Sequence, residues 1–203
     1  MLKSDFNSDL EKEQKLFPLL DAMYSKKLKY YSFKRISDYR EQLKGVDVIF
    51  KHTTTHQDYY IDEKAQLDYI NEDLPTFAFE ISYLKKGKLK QGWLFNSKKK
   101  TDFYSLVTSI YQDEPRVFTS CKITLVNRSK LIAFLNNKGV SEEMLTQNYN
   151  EENLSHGKTA IEELDPKNEG YLFFSKNNKA EKPINLILRL DFLIQNGAAK
   201  RLA

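Results

Sequence analysis

The chain of 203 residues contains a single cysteine, Cys121. One thiol excludes an internal disulfide framework and fits a reducing compartment. Cys121 lies in TSCKITLV, an apolar strand-like run, which predicts a small buried side chain rather than a nucleophile. No apolar run approaches the roughly 20 residues that cross a bilayer, so no membrane partner is expected. The opening MLKSDFNSDLEKEQK lacks the apolar centre of a secretory signal, and a cytoplasmic protein is the expectation. Internal repeats and low-complexity tracts are missing too. One domain over residues 1–203 is therefore expected, with a core over about 8–140 and a C-terminal elaboration over about 141–203.

Aromatic and charged residues are plentiful. Thirteen Phe, twelve Tyr and a charged fraction of 30% describe a folded soluble protein able to bury a substantial core. Lys and Arg number 32 against 28 acids, and a net charge of +4 is too small by itself to mark a nucleic-acid binder. Clustering says more: Lys85, Lys86, Lys88 and Lys90 stand close in sequence to Lys98, Lys99 and Lys100, which predicts a local basic surface.

Residues 8–28 have helical spacing, with Leu10, Glu13, Leu16 or Phe17, Leu20 and Tyr24 on one stripe. Ser8 or Asp9 could cap this helix, and Pro18 should kink or split it. From residue 29 the period becomes strand-like through KYYSFKRIS, GVDVIFK, DYYIDEKAQ, TFAFEISYL, KQGWLFN and TDFYSLVTSI, which reads as a meander of five or six strands. VFTSCKITLVN is a further strand. SKLIAFLNNKGV is a helix with Ser129 as cap and Gly139 past its end, and SEEMLTQNY a second helix. Residues 147–169 are polar and loop-like. GYLFFSK is a strand, and INLILRLDFLIQNG is either a strand or a short helix.

Two of these strands carry misplaced charge. In GVDVIF, Asp47 is the sole polar side chain, and an unpaired carboxylate in a buried strand is costly to desolvate. In DYYIDEKAQ, alternation puts Tyr60, Asp62, Lys64 and Gln66 on one face and Ile61, Glu63 and Ala65 on the other. If the two strands pair as a hairpin, Asp47 lies beside Asp62. Two converging carboxylates suit a hard divalent cation, and Lys64 could orient or deprotonate a water or neutralise charge on a phosphorane-like transition state. The chemistry points to phosphodiester hydrolysis.

A helix bearing Glu13, then GVDV with Asp47, then IDEKAQ with Asp62, Lys64 and Gln66, resembles the PD-(D/E)XK nuclease superfamily, which includes restriction and repair endonucleases and phage exonucleases. The resemblance covers about residues 8–110. It implies an α/β (α+β) fold with a restriction-endonuclease-like αβββαβ core, a central mixed sheet and flanking helices. It also implies a Mg²⁺- or Mn²⁺-dependent nuclease with Asp47, Asp62 and Glu13 as metal ligands and Lys64 as the catalytic lysine. Glu11 competes with Glu13 because the helix register through Pro18 is open. Val46, not Pro, precedes Asp47, a departure the superfamily tolerates, and Gly45 would let the backbone turn into the strand. The DEKA strand followed by Gly92–Trp93 and by Lys100, Thr101, Asp102, Phe103 and Tyr104 is similar to uncharacterised phage and bacterial members. The implied partner is double-stranded DNA, with a homodimer left open.

The surrounding residues each have two readings. Trp93 and Tyr104 either stack on a base or pack on a sheet face. Gln42 could contact the substrate backbone, and Gln66 could position Lys64 or be structural. Lys98, Lys99 and Lys100 are either a solvated turn or a phosphate clamp. Glu80, alone in FAFEISYL, is a further acid near the metal or a core ion-pair partner, and Glu63 is expected to be a structural charge. His52 and His56 are read as loop residues rather than ligands.

Overall fold

The computed structural model describes residues 6–150, 153–177 and 179–203, with side chains from residue 12 onward. In chain order the elements are α1 (Phe6–Lys27), β1 (Tyr31–Arg35), α2 (Tyr39–Gln42), β2 (Val48–His52), β3 (Asp58–Ala65), a 3-10 turn (Leu67–Tyr69), β4 (Thr76–Lys85), β5 (Lys88–Gln91), β6 (Phe103–Glu114), β7 (Val117–Asn127), α3 (Arg128–Asn137), α4 (Glu142–Asn148), β8 (Gly157–Thr159), β9 (Gly170–Phe174), β10 (Ile184–Arg189), α5 (Leu190–Gln195) and β11 (Ala199–Arg201). The class is mixed α+β, and no described helix is long and apolar enough to cross a membrane.

The chain divides into two compact units, each built from separated segments. One takes the chain from α1 to Leu74, then Lys98–Arg128 and Ala199–Ala203; the other takes Pro75–Ser97 and Ser129–Ala198. The expected 8–140 core thus supplies strands to both.

The first unit is built on a mixed six-stranded sheet in the order β1-β2-β3-β6-β7-β11. Strands β1, β2 and β3 pair antiparallel, β6 runs parallel to β3, and β7 and β11 continue antiparallel. Helix α1 covers one face. Its stripe of Leu16, Leu20 and Tyr24 is buried with Val48, Phe50, Ile61, Val107, Ile110 and Ile123. The apolar alternation of β2 and β6 supplies the facing layer.

Two expectations about α1 are met: the helix itself, and its stripe at buried Leu16, Leu20 and Tyr24, with Glu13 exposed. Ser8 and Asp9 do not cap it, because it begins at Phe6, and Pro18 does not split it. Pro18 lies on the exposed side, where the carbonyl that loses its hydrogen bond can take water instead.

The other unit has an antiparallel five-stranded sheet in the order β5-β4-β10-β9-β8, with α3, α4 and α5. The single meander read from residues 29–110 is therefore corrected. β4 and β5 leave the first sheet and pair within the second. The KQGWLFN strand ends at Gln91, because Gly92 bonds the Ile81 carbonyl and residues 93–95 turn. Gly92 has no room for a side chain, since a Cβ there would stand 2.3 Å from the Glu80 carbonyl oxygen. The ambiguous tail INLILRLDFLIQNG is both things in succession, β10 and then α5. Ser129 lies inside α3 rather than capping it, whereas Ser141 does cap α4, accepting from the Met144 N–H at 3.0 Å.

A candidate two-carboxylate site on β2 and β3

Asp47 immediately precedes β2. Its N–H donates to the Ile61 carbonyl at 2.8 Å, and its Oδ2 accepts from the Glu63 N–H at 2.9 Å. These bonds bring Asp47 next to Asp62, as the hairpin reading required. Asp62 is buried on β3, 1% exposed, in a strand whose neighbours are the apolar Ile61 and the parallel Tyr104. Lys64, two positions on and on the same face, reaches back to Asp62 Oδ1 at 2.6 Å. The second oxygen, Asp62 Oδ2, is buried and receives no hydrogen bond from the protein.

Electrostatics follow from this packing. Burial, then the charge of Asp62, push the Asp47 carboxyl up to about 7. Lys64 and the Glu63 N–H pull the other way. For Lys64, desolvation opposes the charge but is outweighed by Asp62, Asp47 and Glu13, which hold the ammonium charged well above its usual range. Two agents can satisfy the bare oxygen of Asp62: a proton carried by Asp47, or a cation.

The backbone beneath this pair is built closely. Gly45 has φ +75, and a Cβ there would stand 2.3 Å from Thr101 Oγ1 and 3.2 Å from Asp62 Oδ2. Thr101 donates its hydroxyl to the Gly45 carbonyl at 2.9 Å, locking the approach to β2 against the approach to β6. The left-handed turn anticipated at Gly45 is present for this reason.

A cleft of about 560 Å³ opens over the site, lined by Glu13, Gln42, Asp47 and Lys64 together with Arg35 and Glu63. Glu13 is exposed on its wall. It does not close a three-acid group with Asp47 and Asp62; among the described residues no three His, Cys, Asp or Glu side chains are so gathered. The side chain of Glu11 lies outside the described residues. Gln42 also lines the cleft, donating to the Ile36 carbonyl at 2.9 Å. Gln66 ends β3 with its N–H on the Val107 carbonyl and begins the 3-10 turn.

The remaining candidates separate. Lys99 donates to the Leu43 carbonyl at 3.0 Å and Lys100 pairs with Glu41 at 3.0 Å, so both lie against the segment leading into Gly45 and Asp47. Lys98 is exposed beside them in sequence and belongs to the same unit. Lys85, Lys86, Lys88 and Lys90 belong to the other unit, as do Glu80 and Trp93. Trp93 packs its ring 5.4 Å from that of buried Phe79. Tyr104 is fully buried beside Asp62 and accepts from Arg128 Nε at 3.0 Å, which corrects its base-stacking reading. His56 sits in the β2–β3 turn with φ +57, as read, whereas His52 is the last residue of β2, where its ring accepts from the Thr55 N–H.

One group escaped the sequence reading. Glu63 is clamped by Arg35 at 2.5 Å and by the Tyr24 hydroxyl at 2.6 Å, and Arg35 also pairs with Asp21 at 2.7 Å. The structural charge expected of Glu63 is thus an anchor that ties β3 to α1 and β1. An acid on the inward face of β3, facing a stripe that carries the Tyr24 hydroxyl, was the available signal.

Comparison with models of protein families, with curated proteins and with solved structures gives no match.

Proposed function

We infer that this chain is a metal-dependent nuclease that hydrolyses phosphodiester bonds, most naturally in DNA, with a PD-(D/E)XK-type site. The observation that carries the reading is the convergence of Asp47 and Asp62 with Lys64 at 2.6 Å, leaving a buried carboxylate oxygen without a donor. The strand order around it supports the reading too: three antiparallel strands, then a fourth parallel to the third. The crossover differs from the expected αβββαβ order, since residues 66–102 carry a 3-10 turn and the β4–β5 hairpin in place of a helix.

Asp47 and Asp62 would hold Mg²⁺ or Mn²⁺, a hard cation that accepts two carboxylates and fills its other positions with water and phosphate oxygen. When bound, such an ion supplies Lewis acidity and a more acidic water. Lys64, kept charged by its acidic neighbours, neutralises charge on the phosphate rather than taking a proton. Glu13 lines the cleft wall, and Lys98, Lys99 and Lys100 offer cations to the flanking backbone.

The test is cleavage of plasmid and linear DNA with Mg²⁺ or Mn²⁺ by wild type, Lys64→Ala and Asp62→Ala, each checked for folding by circular dichroism. Both variants are expected to lose at least about a hundredfold in rate. Folded wild type that neither cuts nor binds metal by calorimetry would leave a nucleic-acid-binding module of the same fold, catalytically inactive or part of a larger complex.

A further inference from the structure

At the far end of α1 from the carboxylates, a second cleft of about 390 Å³ opens in the same unit. It begins where α1 stops, at Lys27, so that the sheet face continuing beyond the helix is left partly open. Its floor is a run of half-buried aromatic rings from the starts of three strands. Tyr31 meets Tyr59 edge-on at 6.0 Å between centroids, and Tyr59 meets Phe103 at 5.7 Å. Phe50, Ile61, Leu125 and Leu202 complete an apolar bed, and Tyr30 stands at the lip, 67% exposed.

The rim is of one sign. Lys27, Lys29 and Lys200 line it and are exposed, and the lining described contains no carboxylate side chain. Arg201 also lines the cleft but spends part of its charge on Asp73. An aromatic floor offers π faces to a flat heterocycle, and ammonium groups at the edge match an anion attached to it. An acyl chain would use the apolar bed but not the ring faces. A protein carboxylate would use the rim but not the floor.

We propose that this cleft binds a nucleotide unit, with the base stacked on the Tyr31–Tyr59–Phe103 floor and the phosphate held by Lys27, Lys29 and Lys200. The unit comes from a single-stranded stretch or end of nucleic acid, or from a free nucleotide; the chemistry recognised is the same. This site is independent of the carboxylate pair and needs no metal. Leu20, the last α1 residue lining the first cleft, and Lys27 are seven apart on α1, so the two clefts are separated by about 10 Å along the helix. A strand reaching from one to the other at duplex spacing would span about three nucleotides.

The experiment is fluorescence anisotropy of 5′-labelled hexathymidylate in EDTA and low salt, with full-length wild type and variants. Wild type is expected to bind. Lys29→Glu combined with Lys200→Glu, both exposed and checked for folding by circular dichroism, should weaken binding at least about tenfold. Tyr30→Ala and Tyr59→Leu should each weaken it at least about threefold. Lys88→Ala, in the other unit, should leave it unchanged, and because the assay holds no metal and reads no cleavage, failure of the nuclease reading would not touch this one. Competition by thymidine monophosphate at millimolar concentration identifies a free-nucleotide site, and competition only by oligonucleotide identifies a strand site. No binding by wild type, binding insensitive to the rim and floor variants but lost on charge reversal at Lys98 and Lys100, or stronger displacement by oleate than by any nucleotide would each overturn the proposal.

Discussion

Asp47 and Asp62 share a low-dielectric space that tolerates one negative charge more readily than two. The sign of the consequence is fixed by the raised Asp47 carboxyl. Between the unfolded value of 3.8 and the folded value of about 7, the native state holds a proton that the unfolded chain has released. Stability of the metal-free protein is therefore greatest below about pH 4 on this account and falls as pH rises to about 7. Urea midpoints measured across that range in EDTA should decline for wild type and stay nearly flat for Asp47→Asn, which also forfeits cleavage. Metal binding should reverse the trend: calorimetry in two buffers near pH 6 is expected to show release of about one proton per ion, and little release above pH 8. A second residue-scale prediction concerns Gly45. Alanine there must hold φ +75 and displace Thr101, so Gly45→Ala should cost about 2 kcal/mol or more in equilibrium unfolding and lower metal affinity as well. Asp47, Asp62 and Lys64 were legible in sequence because each charge interrupts an apolar strand. The long-range contacts that frame them, Thr101 on Gly45 and Arg128 on Tyr104, left no such mark.

Element by element, β3 is held from three directions: β2 on one edge, β6 on the other, and α1 across its inner face through Glu63. Tyr24 is the hinge of that last contact, because its hydroxyl serves Glu63 and also meets Ser105 at 2.8 Å, all within the buried layer. Tyr24→Phe removes little packing volume but leaves Ser105 without its hydroxyl partner and Glu63 held by Arg35 alone. It should cost about 1–3 kcal/mol by denaturant titration, against about 2–5 kcal/mol for Leu20→Ala, which opens a cavity in the same layer. If cleavage falls more for Tyr24→Phe than for Leu20→Ala under conditions where both are folded, Glu63 orients the site and is not merely buried beneath it. The helical stripe and the strand runs were readable because period 3.6 and period 2 are written in local residue order. Pro18 leaves the helix unsplit because a proline penalty falls on one carbonyl, and an exposed carbonyl has water to replace what it loses. The segment 184–195 was unreadable as one element because it is two, changing from strand to helix at Leu190 without any Gly or Pro between.

At the scale of the molecule, a net charge of +4 predicts little, and the distribution of lysines predicts more. If Lys98, Lys99 and Lys100 each neutralise one phosphate, replacing all three by Ala should flatten the log-log dependence of DNA affinity on salt by about three. Lys85→Ala and Lys88→Ala serve as controls that change net charge without touching that segment. The division into two sheets was hidden for a reason that single-strand patterns cannot address. β4 follows β3 directly in sequence, yet its partner is β10, about a hundred residues on, and alternation specifies a face without specifying a neighbour. The same threading bears on how the protein comes into being. The six-stranded sheet gains its outer strand only when residues 199–201 pair with β7, so during synthesis β1, β2, β3, β6 and β7 leave the ribosome long before the strand that covers their open edge. Until then β7 offers unpaired backbone groups to any passing strand. A nascent chain stalled or clipped before residue 199 is thus a candidate for chaperone capture, and Lys200→Pro, which breaks the pairing with β7, would be felt first as poor recovery from the ribosome rather than as a defect at the carboxylates.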